Sequence, residues 1–290
     1  MAEYPHDPAP WSEHECVTAP TVSIIMGAYN AESTIREAVD SILAQEFTDW
    51  EFVICDDASR DGTLEICRQY AREHPGHFQV IANEYNAKLS ATLNRCLVAA
   101  RGKYIARMDA DDVSTPDRLG KQVAVLDSQP DIHLVGTAMQ RFSEAGLSTF
   151  VVPPARPDRN TLRREIPFCH ATILARREVY ERTGGYNESL RTERGQDVDL
   201  WFDFFALGFV GINLAEPLYL VREDAAAIRR RSVKVRWNGF RTLVIGYRKL
   251  GYPIHWYVRP FSQLVKVIVP FRMLLWYRRW QERGTAPGPA

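Results

Sequence analysis

Three carboxylates, Asp109, Asp111 and Asp112, fall within four residues in the stretch KYIARMDADDVSTPDRL. Like charges this close repel, and an apolar run gains no folding energy by ending in them. Either water solvates them on a turn leading into a helix at Pro116, or a cation neutralises them. Oxygen ligands suit Mg²⁺ or Mn²⁺, which keep several waters and share one or two carboxylates with substrate phosphates. Such a site serves the departure of a diphosphate, on which charge builds as a bond breaks. A second acidic pair, Asp56 and Asp57, closes the run DWEFVICDD.

The elements around these residues explain how they could meet. TVSIIMGAY (21–29), DWEFVICDD (49–57), FQVIAN (78–83) and KYIARMD (103–109) are short apolar runs that predict strands. Between them lie three helical patterns. The first starts with Asn30 or Ser33 as its cap and runs to about Gln45. The second covers 61–74 with Asp61 as its cap, and the third covers 88–102 and stops at Gly102. Strands alternating with helices predict an α/β fold with a mostly parallel, Rossmann-like central sheet. Ligands bind beyond the carboxyl ends of such strands, so Asp56, Asp57, Asp109 and Asp111 should converge on one edge. After residue 115 the pattern loosens. A helix with Pro116 at its first position, a strand at 132–142, a helix at 177–185 stopped by Gly184, an amphipathic helix at 196–208 and a strand at 210–221 are expected.

The chain has 290 residues, 46% of them apolar and 25% charged, enough for a sizeable core. Its five scattered cysteines have no zinc spacing and suit reduced thiols in a cytosolic protein. Residues 1–19 are expected to be a disordered leader without a signal peptide, 20–225 the folded domain (halves 20–115 and 116–225), 226–283 a basic helical tail and 284–290 disordered.

The net charge of zero conceals a division. From Arg222 onward there are 15 Lys and Arg against 3 Asp and Glu, a net of +12, which leaves −12 for the rest. Val233, Trp237, Phe240, Val244 and Tyr247 form one helical stripe flanked by arginines and lysines. Basic side chains beside such a stripe can snorkel toward lipid phosphates, and Arg259, Lys266 and Arg272 interrupt any run long enough to span. The expected partner of residues 226–283 is an anionic membrane surface, with the protein in the cytoplasm against the inner face. No recognition motif points to nucleic acid. The bland alternative is that the stripe packs on the folded domain.

Taken together, PTVSIIMGAYNAESTIREAVDSILAQ, DDASRDGT, LNRCLVAARGKYIARMDADD with PDRLGKQ, HATILARREVYERTGGY and QDVDLW resemble the family 2 glycosyltransferases in order and spacing, from about Pro20 to Asp224. The resemblance implies a GT-A fold, a nucleotide-sugar donor and a divalent cation, Mn or Mg. By position it implies that Ala28, Tyr29 and Asn30 border the nucleotide, and that Asp57, with Asp56 beside it, accepts from the base. Asp109 and Asp111 match the DxD motif that touches ribose and metal, and Asp197 matches the aspartate that acts as catalytic base. His170 matches a histidine on the acceptor side, and Trp201 is the best candidate for a sugar platform there. A lipid-linked or oligosaccharide acceptor follows from the tail together with family habit.

The match also departs from the pattern. Gln196 stands where the family has Glu, and Asn86-Ala87-Lys88 where it has Asn-x-Gly, so that Asn86 and Lys88 could reach the nucleotide. Asp224 falls at the position of a histidine that can reach the metal. Two rival readings remain at this level. One is a sugar nucleotidyltransferase, although MGAYNAES offers one glycine and no lysine. The other is a non-catalytic relative that binds nucleotide sugar or membrane.

Overall fold

A computed structural model describes residues 19–143, 146–223 and 233–261. The four apolar runs form β1 (Val22–Ala28), β2 (Trp50–Asp56), β3 (Phe78–Ala82) and β4 (Tyr104–Arg107). All three pairings among them are parallel, with Ala28 opposite Asp56 and Ile25 opposite Arg107, so the carboxyl ends share one edge. Ile24, Ile25 and Met26 are wholly buried, as strands covered on both faces require. Each such side chain contributes about 1.5–3 kcal/mol.

The crossovers are α1 (Ile35–Leu43), α2 (Thr63–Glu73) and α3 (Lys88–Ala99). Their ends differ from expectation. Residue Thr34, not Asn30 or Ser33, precedes α1, and its side chain makes no capping bond. Asp61 lies just outside α2, where it accepts from the N–H and hydroxyl of Thr63. Gly102 is no helix cap: α3 ends at Ala99, and a Cβ on Gly102 would sit 2.4 Å from the Ser23 nitrogen. That glycine lets the chain pass against β1.

The second half continues with β5 (Val113–Ser114), α4 (Arg118–Ser128), β6 (Leu134–Ser143), β7 (Gly146–Val151), β8 (Leu174–Arg176), α5 (Arg177–Thr183), α6 (Gln196–Ala206) and β9 (Gly211–Arg222). Pro116 falls two residues before α4, so Asp117 takes the cap position. Gly184 ends α5 in the left-handed region at φ 76°, which explains why a glycine stands there. The sheet runs β3-β2-β1-β4-β8-β6-β9-β5, with β7 paired to β6. The parallel part is the first half. Beyond β4, only β6 and β9 pair parallel, and β8, β5 and β7 join antiparallel. Helices cover both faces: α1, α2 and α4 on one, α3, α5 and α6 on the other.

A further helix, α7 (Val233–Lys249), packs on α6. Tyr247 is fully buried, and a Cβ on Gly246 would meet the Phe202 ring at 2.1 Å. This splits the expected stripe. Tyr247 belongs to the domain core, while Val233 (64% exposed) and Trp237 (49%) face outward. Small residues, Thr242 and Gly246, make the close face, a pattern that a search for apolar periodicity does not find. Among the described residues no helix is long and apolar enough to cross a membrane. The expected tail beyond residue 261, and Asp224, lie outside the described residues.

Candidate active site

The carboxyl ends of β1 and β2 and the start of α3 enclose a cavity of about 300 Å³. Ala28, Tyr29, Asp57, Asn86 and Lys88 line it, all residues singled out from the sequence. Asp57 is not a free acceptor there. Its oxygens take hydrogen bonds from Asn83 Nδ2 (2.7 Å), the Ala87 N–H (2.7 Å) and the Lys88 N–H (3.0 Å). Those bonds hold the turn that presents Asn86 and Lys88. Lys88 sits at φ 75°, where a glycine would be unstrained.

Asn30 and Asp56 do not reach this cavity. Asn30 accepts the Arg60 N–H through its side chain (2.9 Å), and its own N–H donates to Ser59 Oγ (3.0 Å), so it pins the loop after β2. Asp56 is 1% exposed; one of its oxygens accepts the Ser59 N–H, and the other has no partner among the described residues. Both residues stand behind the cavity's wall and not in its lining. Glu193 and Arg194, from the segment before α6, also line the cavity, and nothing in their local sequence marks them for it.

Past β4, oxygens of Asp109, Asp111 and Asp112 lie within 4.8 Å of one another. Arg107, 3% exposed at the end of β4, ion-pairs with Asp109, and its Nε has no partner among the described residues. The Asp109 N–H donates to the Tyr219 hydroxyl (3.0 Å), which ties the cluster to β9. Arg222 completes the tie: its N–H donates to Asp112 Oδ1 and its Nε to the Asp111 carbonyl (2.8 and 2.9 Å). Burial, then the charges of Asp109 and Asp111, push the Asp112 carboxyl up to about 8. Desolvation, then the Asp109 charge, also raises Asp111. Three hard oxygen donors that resist shared ionisation suit a divalent cation, which would lift that repulsion. The spacing in the sequence already groups the three acids; Arg107 joins them only in three dimensions.

Asp197 stands in the first turn of α6, and burial raises its carboxyl above the usual range. A raised carboxylate is a better proton acceptor. Two residues on, Asp199 is bound by Arg191 (2.7 and 3.2 Å) and Asn187 (2.9 Å), a structural brace. Gln196 turns its Oε1 back to the Gly195 N–H (3.2 Å). His170 shares a hydrogen bond with the Tyr186 hydroxyl (2.8 Å) and is held far below the usual imidazole range by burial, then by Arg107. It is a neutral group beside the site. Trp201 is corrected: it is fully buried against Phe168, His170 and Phe204 and offers no face to a sugar.

A parallel half-sheet with a cavity at its carboxyl edge and acids after β4 forms a ligand site where open α/β sheets place theirs. The chain belongs to the family described as Glycosyl transferase family 2, whose profile matches residues 23–184. It is 41% identical over 262 residues to the putative glycosyltransferase EpsE of Bacillus subtilis, covering 90% of this chain and 94% of that one. It is 28% identical to the putative teichuronic acid biosynthesis glycosyltransferase TuaG of the same organism, over 77% of this chain and 88% of that one. In three dimensions it resembles S. aureus TarS 1–349 in complex with UDP-GlcNAc, with a TM-score of 0.65, 18% identity and coverage of 86% and 71%. It also resembles the mannosyltransferase PcManGT of Pyrobaculum calidifontis in complex with GDP-Man and Mn²⁺, with a TM-score of 0.58, 23% identity and coverage of 82% and 66%. The protein is a glycosyltransferase with the GT-A fold.

Proposed function

We propose that the protein transfers a sugar from a UDP-sugar to a lipid-linked or saccharide acceptor, with inversion, at the inner face of a membrane. One observation carries the reading: the cavity bounded by Tyr29, Asn86 and Lys88 opens at the sheet edge where the acidic cluster also stands. Ala28 and Tyr29 border the nucleotide, Asn86 and Lys88 give it polar contacts, and Asp57 holds their turn. Asp109 and Asp111 hold Mn²⁺ or Mg²⁺, which, when bound, supplies positive charge against the leaving diphosphate.

Asp197 takes the proton of the acceptor hydroxyl as that oxygen attacks the anomeric carbon. The bond from that carbon to the diphosphate breaks, and UDP leaves. One displacement inverts the centre, and no covalent intermediate forms. Arg107 holds Asp109 in place, and the neutral His170 keeps extra positive charge out of the acceptor side. The names of TarS and TuaG support a UDP-sugar and an envelope polysaccharide. The exposed Val233 and Trp237, beside Lys234, Arg236 and Arg241, support the membrane contact.

Asp197→Asn is the test. UDP release from a UDP-sugar should fall about 10²–10⁴-fold while Mn²⁺-dependent UDP binding persists. Turnover equal to wild type would remove Asp197 from the role. Equal recovery of protein from anionic and neutral vesicles would remove the membrane.

A further inference from the structure

A second cavity, about 260 Å³, lies between residues 187–195 and α7. Two glycines line it, one on each wall. Gly195 has an extended backbone at φ −178°, which any residue adopts, and a Cβ there would meet nothing within 4 Å. Gly239 lies inside a 17-residue helix, and its Cβ would also meet nothing within 4 Å. Glycine inside a helix costs roughly 0.5–1 kcal/mol relative to alanine. Gly246, in the same helix, has a packing reason in Phe202; Gly239 has none. The two positions share one effect: they leave this cavity open.

The charges around it favour an anion. Arg194 and Lys234 line it and have no hydrogen-bond or ion-pair partner among the described residues. Arg191 lines it too but is matched by Asp199 and also donates to Thr242 Oγ1 (3.1 Å). Glu193 is the acid of the lining. Place matters as much as charge. Glu193 and Arg194 are shared with the donor cavity, so the two cavities stand back to back. Gly195 is two residues from Asp197. On α7, Val233 and Trp237, one turn apart, expose apolar surface beside Lys234.

We propose that this cavity seats the phosphoryl group of a lipid-borne acceptor, with its chain along Val233 and Trp237. The proposal rests on the lipid-linked reading above. A phosphate ester fits because the space left open at the two glycines and the two unpaired cations suit a compact, multiply charged anion.

Farnesyl diphosphate is a soluble probe, and calorimetry reads its binding to the full chain. Lys234→Ala and Gly239→Leu should each weaken it at least tenfold. Gly239→Leu should not lower the melting temperature or weaken Mn²⁺-dependent UDP binding, because a Cβ there meets nothing within 4 Å and leucine favours the helix. Wild-type affinity in both variants overturns the proposal, as does displacement of the probe by UDP. Inorganic pyrophosphate binding as tightly as farnesyl diphosphate overturns the lipid-borne source. Vesicles of phosphatidylglycerol competing with the probe as strongly as with a vesicle-free control ligand of equal charge overturn it in favour of a bulk headgroup. Failure of UDP binding in the wild type, with probe binding intact, would count against the donor reading and leave this cavity's role standing.

Discussion

The carboxylates that end β2 and those just past β4 reach the same sheet edge and meet opposite surroundings. Asp57 is 5% exposed and takes three N–H donors from its own chain, so its charge is spent on holding a turn. Asp109, Asp111 and Asp112 crowd one another with two guanidinium groups, Arg107 and Arg222, nearby, and two of the three are still pushed toward their protonated forms. Identical chemistry at equivalent places in the topology therefore yields a wall in one case and a cluster of mutually repelling carboxylates in the other. What decides is the supply of local donors.

Four measurements can break or refine that contrast. The largest effect is expected from Asp111→Asn, which should lower kcat/KM roughly 10²–10³-fold, since the cation contributes several kcal/mol of charge stabilisation. It should also remove the rise in melting temperature on adding Mn²⁺. An unchanged Mn²⁺ response would place the cation elsewhere. Next, Asp57→Ala should cost about 3 kcal/mol of stability by chemical denaturation, because buried N–H groups lose a charged acceptor. Its Mn²⁺ response should survive in what remains folded, and a loss below about 1 kcal/mol would contradict the wall assignment. Third, Lys88→Gly should gain roughly 1 kcal/mol in stability by relieving the left-handed backbone, yet weaken UDP-sugar binding. Unchanged binding would leave the strain unexplained.

The smallest effect concerns pH. Asp197 must be ionised to accept a proton, and burial raises its carboxyl. The charged form is therefore lost at a higher pH than for an ordinary aspartate near 3.9, and the acid limb of kcat/KM should lie above about pH 4. A limb at or below that value would sever Asp197 from the rate.

The sequence carries the first half of the fold openly. Four apolar runs separated by helical patterns leave little room for another topology, and the acids after two of them fall where parallel strands end. The second half reads poorly because β5 and β8 span two and three residues, too few for any period, and β7 is exposed along its length. At the site, residue type points to Asp109, Asp111 and Asp197. It does not reveal that Asp57 is saturated, because two of its three donors are backbone N–H groups that almost any residue would supply and the third, Asn83, lies 26 residues away. Arg107 hides inside YIAR, which reads as a strand and gives no hint of a buried cation. Trp201 could equally serve a core or a sugar, and only neighbours such as Phe168 and Phe204 decide.

The contact between Gly246 and Phe202 has a mechanical side. Helix α6 carries Asp197 at its start and is clasped along its length by α7, through Phe202, Tyr247 and the Lys249–Asp203 ion pair. Helix α7 and the helix that brings Asp197 to the sheet edge therefore shift together: a displacement of α7 is passed to α6 through these contacts.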